Sequence, residues 1–397
     1  MQIRSLEAFE VPIKLRKPIR HASHVRDHND TLFVRCELQS GHVGWGEGLA
    51  RTYVTGESID SVWRHLTATR FDRLADARVS VPSDFVALWD GFSLADVEPD
   101  AGIIARECFG QSVRCALELA LLDAFCQAVE CSVSDFLKSL PEAVGLRATR
   151  NDVRYSGVIT SVSDRTSQYR AAFKMRLFGF RHVKVKVGTG RPADDERLLW
   201  RIRRVCGRRM DLRLDANEAW RCDDVVGRMQ LLAPFEITCL EQPVAHADVC
   251  GLADVRRELT VPIMLDESLC CREDADRAIR DGTCDLFNLR ISKCGGLIPT
   301  VRLAALAAQH QLGYQLGCLV GETEILSAAG RHFACSIANI RYLEGSYDRF
   351  LVRNGVTRQN LTFGYGGRAT ALPGHGLGVT VDESLLRSAA TRSLRLI

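Results

Sequence analysis

The chain has 397 residues, 46% of them apolar and 25% charged, with a formal net charge of +3. That length suffices for two domains and a large core, and the small, dispersed charge argues against nucleic acid or a membrane surface as a partner. No apolar run reaches the roughly 20 residues of a transmembrane helix. The fifteen cysteines, none in a Cys-x-x-Cys pair, read as buried reduced thiols of a cytosolic protein rather than as disulfides.

In chain order, residues 1–7 read as an opening strand, not a signal peptide. A polar, histidine-rich loop is expected at 14–28. Residues 32–38 and 43–47 flank the turn 39–42 and predict a hairpin; a second loop follows at 51–57. Residues 58–131 are mostly helical, most clearly 112–126, where apolar residues recur at three- and four-residue spacing. Residues 1–145 therefore read as an α+β domain. From about 153 the texture changes to strict alternation. Strands are expected near 154–160, 182–187, 211–215, 237–241, 261–266, 285–291, 313–319 and 340–344, with helices such as 193–206 and 297–310 between them. Eight parallel strands alternating with helices predict a closed barrel over 146–371. The glycine-rich tail, 372–397, carries a short predicted strand within 372–382 and is expected to run back onto the first domain. No GxGxxG fingerprint supports a dinucleotide fold, and the basic runs at 201–204 and 208–209 sit near a helix end, where solvated cations suit the macrodipole.

The chemistry gathers at the strand ends. Lys186, Asp215, Glu241, Asp266 and Arg290 recur at steps of 29, 26, 25 and 24 residues, each step the length of one β/α unit. Side chains alternate along a strand, so Lys184 and Lys186 share one face and Val183, Val185 and Val187 the other. Two lysines pointing into a barrel are costly to desolvate unless they work; the alternative is a half-exposed strand with solvated lysines. Asp215, Glu241 and Asp266 would converge at one mouth, and three anions there need a cation. Oxygen ligands without a Cys or His pattern suit Mg²⁺, with Mn²⁺ as the alternative ion. Taken singly, each acid could instead cap a helix. Asn217 and Glu267 are placed to orient the ligands.

At these residues the sequence resembles the enolase superfamily, in its muconate-lactonizing-enzyme branch. The matching signature is Lys184-x-Lys186, Asp215-Ala-Asn217, Glu241-Gln-Pro243, Asp266-Glu-Ser268 and the stretch from Asn288 to Gly296. The resemblance implies an α/β fold: a modified TIM barrel of seven β/α units plus a closing strand, under an α+β capping domain completed by the C-terminus. It also implies Mg²⁺ and removal of a proton α to a carboxylate through an enediolate. Lys186 would be the acid/base, with Lys184 nearer the substrate carboxylate. The branch carries a second lysine where this chain has Arg290, and an arginine is hard to deprotonate. Lys293, three residues on, faces away if the strand is regular, unless a bulge lets it swing in. The departure favours a cycloisomerase or β-eliminating lyase over a racemase or epimerase of N-acylated amino acids or dipeptides; a binder that has lost turnover is a third reading. Glu322, ten residues before His332, would line the site. The eighth strand lacks the Asp-x-Asp with which dipeptide epimerases of the branch hold the substrate ammonium, though Glu344 could substitute. His21, His24, Arg26 and Tyr53 belong to the two loops that cap the mouth in this family, as specificity residues or as exposed loop residues. The expected partner is a small carboxylate substrate, and the resemblance implies a homo-oligomer.

Overall fold

The computed structural model describes residues 1–20, 25–160 and 164–397, with the side chains of 19–26 outside that description. His21, His24 and Arg26, expected over the mouth, lie among those side chains. Ile3–Arg20 and Val25–Leu38 form a long antiparallel hairpin, extended by Val43–Leu49 on one side and by Arg392–Arg395 on the other. The loop expected at 14–28 is therefore mostly strand. Ile13 and Leu15 keep the inward alternation and are buried, so 14–20 and 25–28 continue the two strands. The tail does return to the cap, but through Arg392–Arg395, which pairs Ala8 with Leu394. Within 372–382 there is no strand, only isolated bridges from Gly376 to Ser132 of the cap and from Val381 to Thr357.

The helix Gln111–Ala128 lies across Val43–Leu49 at very short range. Alternate positions of that strand are glycine, and they meet every fourth residue of the helix. A Cβ on Gly44, Gly46 or Gly48 would stand 2.2 Å from Ala124 N, 1.9 Å from Ala116 O or 2.1 Å from Ser112 O. No side chain fits there.

The barrel strands are Gly157–Ile159, His182–Lys186, Asp211–Asp215, Ile237–Glu241, Ile263–Leu265, Leu286–Leu289, Gly313–Leu316 and Ile340–Leu343. They form one parallel sheet in sequence order. Ser156 N–H donates to the Leu343 carbonyl at 2.7 Å, bringing the eighth strand beside the first. The predicted strands all occur, because alternation of branched apolar residues between helices leaves few other solutions. In register, Lys186 stands opposite Asp215, and Asp215 opposite Glu241. Three adjacent strands thus end in charged residues at one level.

The cap also closes two barrel helices. Leu297–Gln309 begins at Gly296 and Glu324–Ser336 at Thr323, and neither N-cap residue supplies a side-chain acceptor. Glu118, from the cap helix, accepts from Leu297 N (2.5 Å) and Ile298 N (3.1 Å). Glu47, from the glycine strand, accepts from Thr323 N, Thr323 Oγ1 and Leu326 N at 2.8, 2.7 and 3.0 Å. Carboxylates at helix N-termini satisfy orphan N–H groups and oppose the dipole. The same contacts fix the cap over the strand ends. No helix among the described residues is long and apolar enough to cross a membrane.

Candidate active site

Lys184 is buried inside the ring of strand ends. Its Nζ lies 3.2 Å from Asp215 Oδ2, 3.2 Å from Glu241 Oε1 and 3.0 Å from Glu344 Oε2. Burial works against its charge, but Glu241, Glu344 and Asp215 outweigh it and hold the ammonium well above its ordinary pKa. This is an inward lysine with three anionic partners, not a solvated one. Lys186, at the strand end, donates to Asn217 Oδ1 at 2.7 Å. Asn217 in turn donates to Glu267 Oε1 at 3.3 Å, and its own N–H holds Asp215 Oδ1 at 3.0 Å. Asn217 thus orients both the amine and an acid.

Arg290 follows the sixth strand. Its guanidinium contacts Asp266 and lies 3.7 Å from Glu241 Oε1. Burial disfavours its charge, but Asp266, Glu267 and Glu241 keep it protonated. Lys293 does not face the mouth. The strand stops at Leu289, the chain turns, and Lys293 Nζ reaches Asp266 from behind, at 2.7 Å from Oδ1 and 2.5 Å from the carbonyl. Fully buried and doubly bonded there, it braces Asp266 and cannot swing in without stranding a carboxylate.

The acids respond oppositely to this crowding. Burial raises Asp266, but Arg290 and Lys293 prevail and hold it at about 2. Burial and the neighbouring anions Asp215, Glu344 and Asp266 push Glu241 up to about 8, against Lys184. Asp215 Oδ2 is buried and makes no hydrogen bond. A buried oxygen that the Lys184 ammonium meets at 3.2 Å without a hydrogen bond, and a carboxylate crowded by anions, are what a hard divalent cation would relieve, so the donor set fits such an ion. The three acids are not packed within 4.8 Å of one another; among the described residues Glu107, Cys271 and Asp274 are, but Asp274 there is already paired with Arg106 and Arg277. Lys184 stands between Asp215 and Glu241, and Arg290 between Glu241 and Asp266, so each neighbouring pair of acids is one cation apart.

Several residues that matter escaped the sequence reading. Arg213 is fully buried, with its guanidinium on Glu344, 3.2 Å from Ser156 Oγ and 4.5 Å from the Tyr342 ring centre. It lies two residues before Asp215, on the same inward face, and the alternation that flagged Lys184 would have found it. Asn288 Nδ2 donates to Glu241 Oε1 at 2.8 Å. Gln242 Oε1 accepts from Asp266 N at 2.8 Å and Ser268 N at 3.2 Å, setting the loop that carries Asp266 and Glu267. Glu344, considered as a substitute for the ammonium-binding acids, is not free for that task, because Lys184 and Arg213 take its two oxygens. Glu322 sits in the loop after the seventh strand, where Leu319 N–H donates to it at 2.6 Å. Burial pushes it up to about 8, with Glu47 adding to the rise and Arg290 opposing it. His332 is not with Glu322: its Nδ1 accepts from Ser134 N at 3.2 Å and its Nε2 meets the Leu377 carbonyl at 3.1 Å. Tyr53 packs on Val54, Cys108, Cys270 and Cys271, where the cap meets the loop after the fifth strand.

An eight-stranded parallel barrel under an α+β cap, with acids and amines gathered at the C-terminal strand ends, defines the class of capped-barrel enzymes. A family model described as "Enolase C-terminal domain-like" matches residues 168–385. The chain belongs to the enolase superfamily and is an enzyme of it. It is 29% identical over 392 residues to an L-Ala-D/L-Glu epimerase of Bacillus subtilis, spanning 98% of this chain and 99% of that one. It is 25% identical over 338 residues to an N-succinyl-L-Arg/Lys racemase of Bacillus cereus, spanning 85% of each. The crystal structure of a dipeptide epimerase of Cytophaga hutchinsonii, complexed with Mg and the dipeptide D-Ala-L-Val, superposes with a TM-score of 0.81 over 100% of both chains at 25% identity.

Proposed function

We propose that the chain is a racemase or epimerase that exchanges the proton α to the carboxylate of an N-acylated amino acid. This reverses the preference that Arg290 suggested in the sequence, where a cycloisomerase or lyase came first. The observation that carries it is placement. Lys186 ends the second strand and Arg290 follows the sixth, four strands apart around a ring of eight. The three acids lie on the strands between them. A substrate held over those acids has one cationic group on each face of its α-carbon, as inversion requires. The epimerase and racemase relatives support the same outcome.

Asp215, Glu241 and Asp266 would hold Mg²⁺, with Mn²⁺ the ion to test beside it; when bound, it supplies positive charge opposite the enediolate oxygens. Lys184, the innermost cation, adds to that charge. Lys186, aligned by Asn217, takes or returns the proton on its face. Arg290, held against Asp266 and Glu241, is the cation that serves the second face.

The neighbourhood of the eighth strand supports an acyl group over a free ammonium. Glu344 is neutralised by Lys184 and Arg213, and Asp348 accepts from Ser327 Oγ at 2.7 Å. Both Glu344 oxygens are taken, so a dipeptide ammonium finds no uncommitted acid at that position; Asp348, one oxygen of which has no partner, is fully buried. An acylated nitrogen needs none.

Loss of the α-proton NMR signal in D₂O with Mg²⁺ tests the proposal on N-succinyl and N-acetyl amino acids. Both enantiomers should exchange, and Lys186→Ala should lose exchange from the enantiomer whose proton Lys186 removes. A second reading, cycloisomerisation or β-elimination by Lys186 alone, keeps Arg290 as a fixed charge and rests on arginine's reluctance to release a proton. Exchange from one enantiomer only would favour it.

A further inference from the structure

The cap and the barrel meet at two thiols. Cys108 lies in the turn at 106–109, just before the cap helix, and its carbonyl accepts from Gln111 N at 3.1 Å. Cys270 lies four residues beyond Asp266, and Asp274 Oδ2 holds its N–H at 2.8 Å. Both side chains are fully buried. Their Sγ atoms are 4.0 and 3.8 Å from the same carbonyl oxygen, that of Val54, and the two thiols pack with Val54 and Cys271 in one buried cluster. Arg106 pins the joint: it donates to the Val54 carbonyl (3.2 Å), the Glu267 carbonyl (2.8 Å) and Asp274 Oδ2 (2.9 Å). Segments 51–57 and 103–110 of the cap therefore rest on the loop that carries Asp266 and Glu267.

We propose that Cys108 and Cys270 form an oxidation site, at which hydrogen peroxide closes a disulfide that fastens the cap to the loop after the fifth strand. The Cys270 thiolate attacks a peroxide oxygen, the O–O bond breaks, and hydroxide leaves and takes up a proton as water, giving a sulfenic acid. The Cys108 sulfur then attacks the Cys270 sulfur, the S–O bond breaks, and a second water leaves with the Cys108 proton. Two thiols and one peroxide become one disulfide and two waters.

Two features matter for this pair, the first of which Cys131 shares, being lowered likewise by its hydrogen bond with Cys126. Cys270 is the better nucleophile, because the hydrogen bond from Cys108, and then the charges of Lys293 and Arg106, lower its pKa despite burial. Burial, with smaller effects of neighbouring charges, pushes Cys36, Cys284 and Cys294 up to about 12. The span of the bond matters as well. Cys126 and Cys131 also touch, but they sit at one helix end, with Cys131 N–H on the Cys126 carbonyl at 2.9 Å. A bond there would restrain only that helix end. A bond from 108 to 270 joins the cap to the barrel and removes relative motion at the mouth.

The test uses the full chain and no substrate, so it stands apart from the proposed reaction. Peroxide-treated and reduced protein are alkylated and digested, and hydrogen exchange is followed in 51–57 and 103–110. The expected result is a linked peptide joining Cys108 to Cys270 and exchange slowed about tenfold in both segments. Dithiothreitol should reverse both changes, and Cys108→Ser and Cys270→Ser should display neither. Absence of the linked peptide, a linked peptide with unchanged exchange, or equal slowing in the serine variants overturns the proposal.

Discussion

Lys186 and Arg290 face each other across the barrel mouth, four strands apart in either direction, with Asp215, Glu241 and Asp266 on the strands between. If each serves one face of the substrate, their variants should fail differently. Lys186→Ala should lower α-proton exchange by about 10²–10⁴-fold for the enantiomer whose proton it removes. Arg290→Met should do the same for the opposite enantiomer and leave the first exchanging. Arg290→Lys should retain both, with a pH optimum shifted downward because an ammonium gives up its proton more readily than a guanidinium. Single-turnover exchange in D₂O with each pure enantiomer decides the matter. Equal loss for both enantiomers in Arg290→Met would reduce that residue to a binding charge.

Lys293 contributes to the site without facing it. It neutralises Asp266 from the buried side, at 2.7 Å, and removing one member of a buried pair typically costs about 3–5 kcal/mol. Lys293→Met should therefore destabilise the metal-free protein by about that amount. Saturating Mg²⁺ should recover a good part of the loss, because an ion on Asp266 replaces the missing charge. Urea unfolding with EDTA and with Mg²⁺ checks this. The same loss in both would mean that Lys293 matters to packing but not to the acid.

These two residues also mark what the sequence could and could not reveal. Lys184, Lys186 and the three acids were legible because alternation fixes which face a strand residue takes, and a charge on an inward face has to be explained. Arg213 obeys the same rule and was overlooked because its partner, Glu344, lies 131 residues away, and only closure of the ring brings them together. Lys293 faces away from the mouth, but from a turn and not from the strand, because the sixth strand ends earlier than its apolar run suggests. The Glu322–His332 spacing was real, yet the helix carries His332 off to the cap. The strand residues 14–20 and 25–28 looked like a loop because a polar stretch of strand has a loop's composition. Composition and period say little about which of two mirror-image faces a proton leaves from, so the reaction itself was the least legible part.

Glu118 gives a prediction about pH. Buried between cap and barrel, it is pushed up to about 7, as are Glu47 and Glu57. An unfolded glutamate titrates near 4.5, so between about pH 4.5 and 7 the native state holds a proton that the unfolded state has lost. Stability carried by that proton is present below pH 4.5 and fades as pH rises through 7, by about 3 kcal/mol for each such group. Glu118→Gln keeps an acceptor for Leu297 N and Ile298 N and carries no titrating group. Its melting temperature should fall less steeply than the parent's between pH 5 and 7.5. Parallel curves for parent and variant would mean that Glu118 is ionised in the folded protein throughout.

Gly46 tests how closely the cap must pack for the site to be held. A Cβ there would stand 1.9 Å from the Ala116 carbonyl and 2.7 Å from Ala120 N, both backbone atoms of the cap helix. Neither can give way by a rotamer change, so strand and helix would have to separate. Gly46→Ala should cost about 3 kcal/mol or more, the upper range for overpacking. The helix that would shift also carries Glu118, whose carboxylate caps Leu297–Gln309. The damage should therefore extend to the barrel, and hydrogen exchange at the first turn of that barrel helix should speed up along with exchange in the cap. Gly227 supplies the control. It lies within the helix Cys222–Leu232, and a Cβ there would meet nothing within 4 Å, so Gly227→Ala should stabilise by up to about 1 kcal/mol. Urea unfolding of the two variants should move in opposite directions. A Gly46→Ala protein as stable as its parent would mean that the glycine strand does not set the distance between cap sheet and cap helix.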